Sequence, residues 1–118
     1  MAEGYALTQN ERIDVTSNIS VPTGINATID TNITKAVICG NVATVTFGLA
    51  FSSNSGTNKT ILLGLPKPAV ALEFILRTNH ADNKVYPVYL YNDGNVGIRN
   101  NEVVAGTNVK FSICYITA

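Results

Sequence analysis

Residues 43–51 read Ala-Thr-Val-Thr-Phe-Gly-Leu-Ala-Phe, and every odd position in the run is apolar. Only an extended chain sends alternate side chains to one face, so this stretch predicts a half-buried β-strand. The same period of two recurs in Arg12-Ile13-Asp14-Val15-Thr16. Val70, Leu72, Phe74 and Leu76 predict a further apolar face, with Glu73 and Arg77 opposite. Val109, Phe111, Ile113 and Tyr115 predict another. β-branched and aromatic residues are concentrated in these runs, as a pleated surface prefers. The window around Ala69–Leu76 has a weak helical period. It is assigned to strand because Pro66 and Pro68 precede it and Val70, Phe74 and Ile75 favour extended backbone.

The punctuation between the runs is that of hairpins. Gly40-Asn41 separates 36–39 from 42–51, and Asn92-Asp93-Gly94-Asn95 separates 85–91 from 96–99. Polar loops are predicted at 52–58, 78–83, 100–101 and 105–108. Short strands at roughly ten-residue spacing with turns between them point to an antiparallel β-sandwich, jelly-roll-like, of about eight or nine strands. A chain of 118 residues suits one domain, 1–118. Residues 1–34 are richer in Thr and Asn, with Ile13, Val15, Ile19, Val21, Ile25, Ile29 and Ile33 as sparse apolar anchors. They are expected to form an arm, a neck or edge strands, with 35–118 as the core of the sandwich.

Charge narrows the partners. Charged residues make up 14% of the chain and eight basic residues balance eight acidic ones, so Asn, Thr and Ser supply the polar surface. Such a surface suits neutral hydrogen-bonding partners, sugars or another protein. The basic residues are scattered singly, which removes the electrostatic drive for nucleic acid and for an anionic membrane surface. No apolar run has the length of a membrane span, so membrane insertion is not expected. The start, Met1-Ala2-Glu3-Gly4-Tyr5, lacks the basic and apolar regions of a signal peptide. The sequons at Asn18, Asn26, Asn32 and Asn58 therefore carry no glycosylation meaning here.

Chemistry-bearing constellations are sparse, and the chain is not expected to be an enzyme. His80 is the lone histidine, so no nucleophile–histidine arrangement has a choice of base. The acids fall mostly at turns and ends; Glu73 alone is centred in a strong strand, with no partner predicted across a cleft. Cys39 and Cys114 sit in apolar runs and are read as buried thiols, with a disulfide between strands left open. Two cysteines and one histidine are too few for a zinc site, and no metal or cofactor is expected. The best ligand surface is the tyrosine group Tyr86, Tyr89 and Tyr91, with Tyr89 and Tyr91 on one strand face. A tyrosine pairs an apolar ring with a polar tip, as sugar stacking and subunit interfaces require. The loop that carries His80 and Asp82 lies next to it in sequence.

Several of these segments together resemble a known type of module. Gly40-Asn41-Val42-Ala43-Thr44-Val45-Thr46-Phe47 resembles a hairpin of C-terminal modules of bacteriophage and prophage tail proteins. Ile61-Leu62-Leu63-Gly64-Leu65-Pro66 is similar to the strand end that follows in such modules. Asp93-Gly94-Asn95-Val96-Gly97-Ile98 looks like their next hairpin, and 111–117, Phe-Ser-Ile-Cys-Tyr-Ile-Thr, like their closing strand. The order matches too, over roughly residues 35–118. The resemblance implies the head or tip domain of a tail-fibre or baseplate receptor-binding protein. It further implies a homotrimer, a cell-surface saccharide as ligand, other tail or baseplate proteins as partners, and a place on the virion or, before assembly, in the cytoplasm of the producing bacterium. Two alternatives stay open: a structural tail or baseplate component without receptor binding, and an unrelated carbohydrate-binding β-sandwich module.

Overall fold

The structure is a computed structural model, and it describes residues 11–78 and 84–118. Its centre is the hairpin of β3 (Lys35–Cys39) and β4 (Val42–Phe51). Cys39 pairs with Val42, which leaves Gly40-Asn41 as a two-residue loop. Gly40 has φ +63° and Asn41 does not share the positive φ, the signature of a primed turn with glycine at its first central position. β4 also pairs along nearly its whole length with β9 (Asn108–Ile116), from Val42↔Ile116 to Ala50↔Asn108.

The other strands extend this centre. β1 (Arg12–Asp14) pairs with β3, and β2 (Ala27–Ile29) pairs with the end of β4 that β3 leaves free. On the far side of β9 come β6 (Leu72–Thr78), β7 (Val85–Leu90), β8 (Val96–Ile98) and β5 (Thr60–Leu62). The nine described strands, all antiparallel, make one curled sheet, eight of them in the order β1-β3-β4-β9-β6-β7-β8-β5 with β2 beside β4 off that path. The protein is therefore all-β and sandwich-like, with the two halves of the curled sheet sharing one core. Val45, Phe47 and Leu49 of β4 meet Leu76, Val88, Leu90, Val96 and Ile98 there, each at most 1% exposed. No helix among the described residues is long and apolar enough to cross a membrane.

Residues 11–34 are edge structure. Val15 donates to the carbonyl of Ala36, Ile19 enters the core, and Ser20 and Leu63 exchange hydrogen bonds of 3.1 and 2.8 Å. Gly64 sits against that crossing with φ +85°, and a Cβ there would collide with the carbonyl of Asn18.

Two expectations are corrected. Val70 does not share the face of Leu72, Phe74 and Leu76: it is 71% exposed and precedes β6. Pro68 is bridged to Thr117 and Ala69 donates to Ile116, so the chain is still turning off β9 at that point. The cysteines are not buried thiols either. Neither is in a disulfide; Cys114 is exposed and Cys39 half-buried. Alternation explains it, since Ala36 and Ile38 take the inner face of β3 and Tyr115 the inner face of β9, which sends the cysteines outward. They lie on β3 and β9 with β4 between, about 10 Å apart in strand spacing alone, beyond the reach of a disulfide.

Candidate functional site

The outer face of β6, β7 and β8 carries the tyrosine surface. In β7, Tyr86, Val88 and Leu90 point to the core, so Pro87 and Tyr89 point out, and Tyr91 continues that face just beyond the strand. Tyr86 is 3% exposed and leaves the candidate surface, because the strand's period sends it to the opposite side from Tyr89. His80 and Asp82 lie outside the described residues.

The turn after Tyr91 is rigid for local reasons. Tyr91 donates its N–H to Asn95 and accepts one from Gly94, at 2.9 and 3.0 Å. Asp93 Oδ1 accepts the N–H of Asn95 at 3.0 Å, and Gly94 supplies φ +88°. This is a three-residue hairpin loop, a tight turn followed by a left-handed residue. β8 then returns beneath the rings. Gly97 pairs with Tyr89, and a Cβ on Gly97 would lie 2.9 Å from Tyr91 Cε2. The Tyr91 ring thus occupies the hollow that glycine leaves on the sheet.

Neighbouring strands complete the cluster. The two rings stack at 6.0 Å between centroids, inclined by 18°. Glu73 of β6, opposite Tyr89 in register, accepts the Tyr89 hydroxyl at 3.1 Å. That hydrogen bond, reinforced by the carboxylate charge, raises the Tyr89 pKa above its ordinary value. Arg99, just past β8, places its guanidinium 4.6 Å from the centre of the Tyr89 ring and donates to the Tyr91 hydroxyl at 3.4 Å. Tyr91 accepts from arginine and keeps its proton for a ligand oxygen. Tyr89 gives its proton to Glu73 and keeps an oxygen lone pair. The cluster holds one positive and one negative charge and suits an uncharged hydroxylated ligand better than an ion.

Beside the rings is a cleft of about 320 Å³, lined by Glu73, Pro87, Tyr89, Arg99, Asn100 and Asn101. Its far wall is held by asparagine: Asn58 Oδ1 accepts the N–H of Asn100 at 2.8 Å, and both residues have positive φ, +57° and +58°. Asparagine tolerates that region better than most residues. The amides of Asn100 and Asn101 are exposed at the rim. Glu73, Gly97, Arg99, Asn100 and Asn101 were not singled out from the sequence as site residues, because sheet register brings them to the tyrosines. Two signals were present, a charge in mid-strand at Glu73 and a glycine inside the Val96–Ile98 run. Among the described residues, no cluster of three or more His, Cys, Asp or Glu is placed to hold a metal ion.

No protein-family model matches the chain, and no curated protein matches it in sequence.

Proposed function

We propose that the chain is a binding domain whose Tyr89–Tyr91 surface takes a neutral saccharide, in the setting of a phage or prophage tail-fibre or baseplate head. The observation that carries this reading is the pair of outward, stacked tyrosines flanked by Arg99 and Glu73, opening on a cleft rimmed by amides. Aromatic rings offer an apolar platform to a sugar's C–H face while fixed polar groups meet its hydroxyls. The phage setting is supported by the resemblance of residues 35–118 to tail modules, and the homotrimer belongs to that setting. Arg99 covers part of the Tyr89 ring, but an exposed cation–π contact is worth only about 0.5–1 kcal/mol, which a ligand can displace.

The test is a glycan-binding screen of the intact chain beside its Tyr89→Ala and Tyr91→Ala variants, with thermal unfolding of all three. Each variant is expected to bind about tenfold or more weakly, for the loss of one aromatic platform, while melting close to the parent. Two folded variants that bind like the parent would sink the proposal. A purely structural role in tail or baseplate assembly is favoured by one observation: Ile75 and Val85 stand 51% and 46% exposed on the same outer face.

A further inference from the structure

A second site follows from a mismatch between β6 and β9. The two segments are joined at Pro68↔Thr117 and again at Arg77↔Lys110. Between those points lie eight residues on one side, 69–76, and six on the other, 111–116. The longer side has to bow outward, and strand pairing between β6 and β9 is confined to Arg77↔Lys110 and Thr78↔Val109. The bow opens a groove of about 490 Å³ on the outer face of the sheet, separate from the cleft beside Tyr89.

The groove has an apolar body and a cationic end. Ile33 and Ile75 wall it, and Phe111 is reached through the gap. The Phe111 ring is fixed by stacking on Phe74 at 3.8 Å and by contact with Phe47 at 5.6 Å, so the floor is preformed. Arg77 and Lys110 stand directly opposite each other at the mouth. Like charges in that position destabilise a sheet. No carboxylate among the described residues forms an ion pair with either of them: Glu73 is engaged by Tyr89, and Asp30, which lines a neighbouring hollow with Lys110, accepts the N–H of Asn32.

We propose that this groove binds an amphiphilic carboxylate, a hydrocarbon chain with one anionic end. The carboxylate sits between Arg77 and Lys110, where it converts their repulsion into attraction. The chain lies along Ile33, Ile75 and Phe111. A neutral sugar leaves the cations uncompensated, and a small inorganic anion leaves the apolar walls wet.

Calorimetric titration of the intact chain with decanoate, below its micelle concentration, tests this directly. Decanoate is expected to bind saturably, butyrate to bind far more weakly, and added salt to weaken decanoate. The double variant R77Q/K110Q, which keeps both stems, is expected to bind decanoate about tenfold less tightly and decanol unchanged. Ile75→Asn is expected to weaken decanoate and decanol alike. Circular dichroism of each variant separates lost binding from lost fold. The proposal is overturned if decanoate gives no saturable heat, if R77Q/K110Q binds it like the parent, or if decanol binds the parent as tightly as decanoate. It is equally overturned if a second copy of the chain covers the groove, seen as release of Ile75→Asn from an oligomer that the parent forms.

Discussion

Gly97 decides where the Tyr91 ring can lie. Its Cα is the floor under that ring, and the nearest obstacle to a methyl there is the Tyr91 side chain rather than backbone. Gly97→Ala is therefore expected to keep the fold, because Tyr91 can swing into solvent, yet to separate the ring from Tyr89 and Arg99. Saccharide binding should fall with little change in melting temperature; unchanged binding would mean that the stacked geometry is irrelevant to the ligand. Phe47 presents the opposite case. It is 1% exposed and packs against the Phe111 ring, so Phe47→Ala should cost about 3–5 kcal/mol in denaturant unfolding. A much smaller loss would place the true core elsewhere. Burial also raises the pKa of Tyr115, whose hydroxyl donates to the Pro66 carbonyl at 2.6 Å. Tyr115→Phe leaves that carbonyl without its donor, at about 1–3 kcal/mol. At this scale the alternation at Phe47 was readable from sequence, as was the shared side of Tyr89 and Tyr91. Tyr86 shares the short run with them but has the opposite parity, which sends it to the core. Glu73 and Arg99 were invisible because no local pattern states which strand lies opposite which.

The elements differ in how firmly they are held. β1 is an edge strand of three exposed residues, and its anchor is polar. The Asp14 carboxylate accepts the Thr16 N–H at 2.9 Å and pairs with Lys35 at 2.9 Å, while the Thr16 hydroxyl links to the backbone of Ala36. Hydrogen bonding from Thr16 first, then Lys35, holds the Asp14 pKa well below its ordinary 3.8. A depressed folded pKa gives a contribution that is complete above the unfolded value and is lost as pH falls through the folded one. Hydrogen exchange at Val15 and Ala36 should thus accelerate on acidification below pH 3.8 while β4 and β9 stay protected. Asp14→Asn should show fast exchange at neutral pH and no such acid dependence. If the parent's exchange at these amides ignores pH once intrinsic rates are removed, Asp14 is not the anchor. The strong strands and both hairpins were legible because period two and turn glycines are local signals. The bow of β6 was not, since it arises from a difference in residue count between two crossings distant in sequence, and Val70 was assigned to the strand for that reason.

Across the whole molecule, two features compete for one surface. The tyrosine cluster and the β6–β9 groove both lie on the outer face of the sheet, which also exposes Ile75 and Val85. A trimer that buried this face would hide the very sites proposed to bind ligands. The alternative is the outer face of β1 and β3 with the adjoining ends of β4 and β9, Val42–Thr44 and Cys114–Ile116, which lie beyond the groove's Thr46, Lys110 and Ser112. It carries Val37, Cys39, Thr44, Cys114 and the 53%-exposed Ile116, with Arg12 and Asp14 of β1 along one edge and Lys35 paired to Asp14. Such a face is mostly uncharged, with Ile116 as its large exposed apolar residue, and it is suited to burial against copies of itself. The expected outcome is a solution mass near three times the 12.6 kDa chain by light scattering, reduced to one chain mass by Ile116→Lys and left unchanged by Ile75→Asn. A trimer with that pattern leaves the tyrosines free to meet a cell surface, as a tail tip requires. A trimer dissolved by Ile75→Asn instead would make the outer face of β6 and β7 an assembly surface and favour the structural role. A parent chain that is monomeric throughout would remove the trimeric head and leave the tyrosine surface to be judged as a freestanding saccharide-binding module.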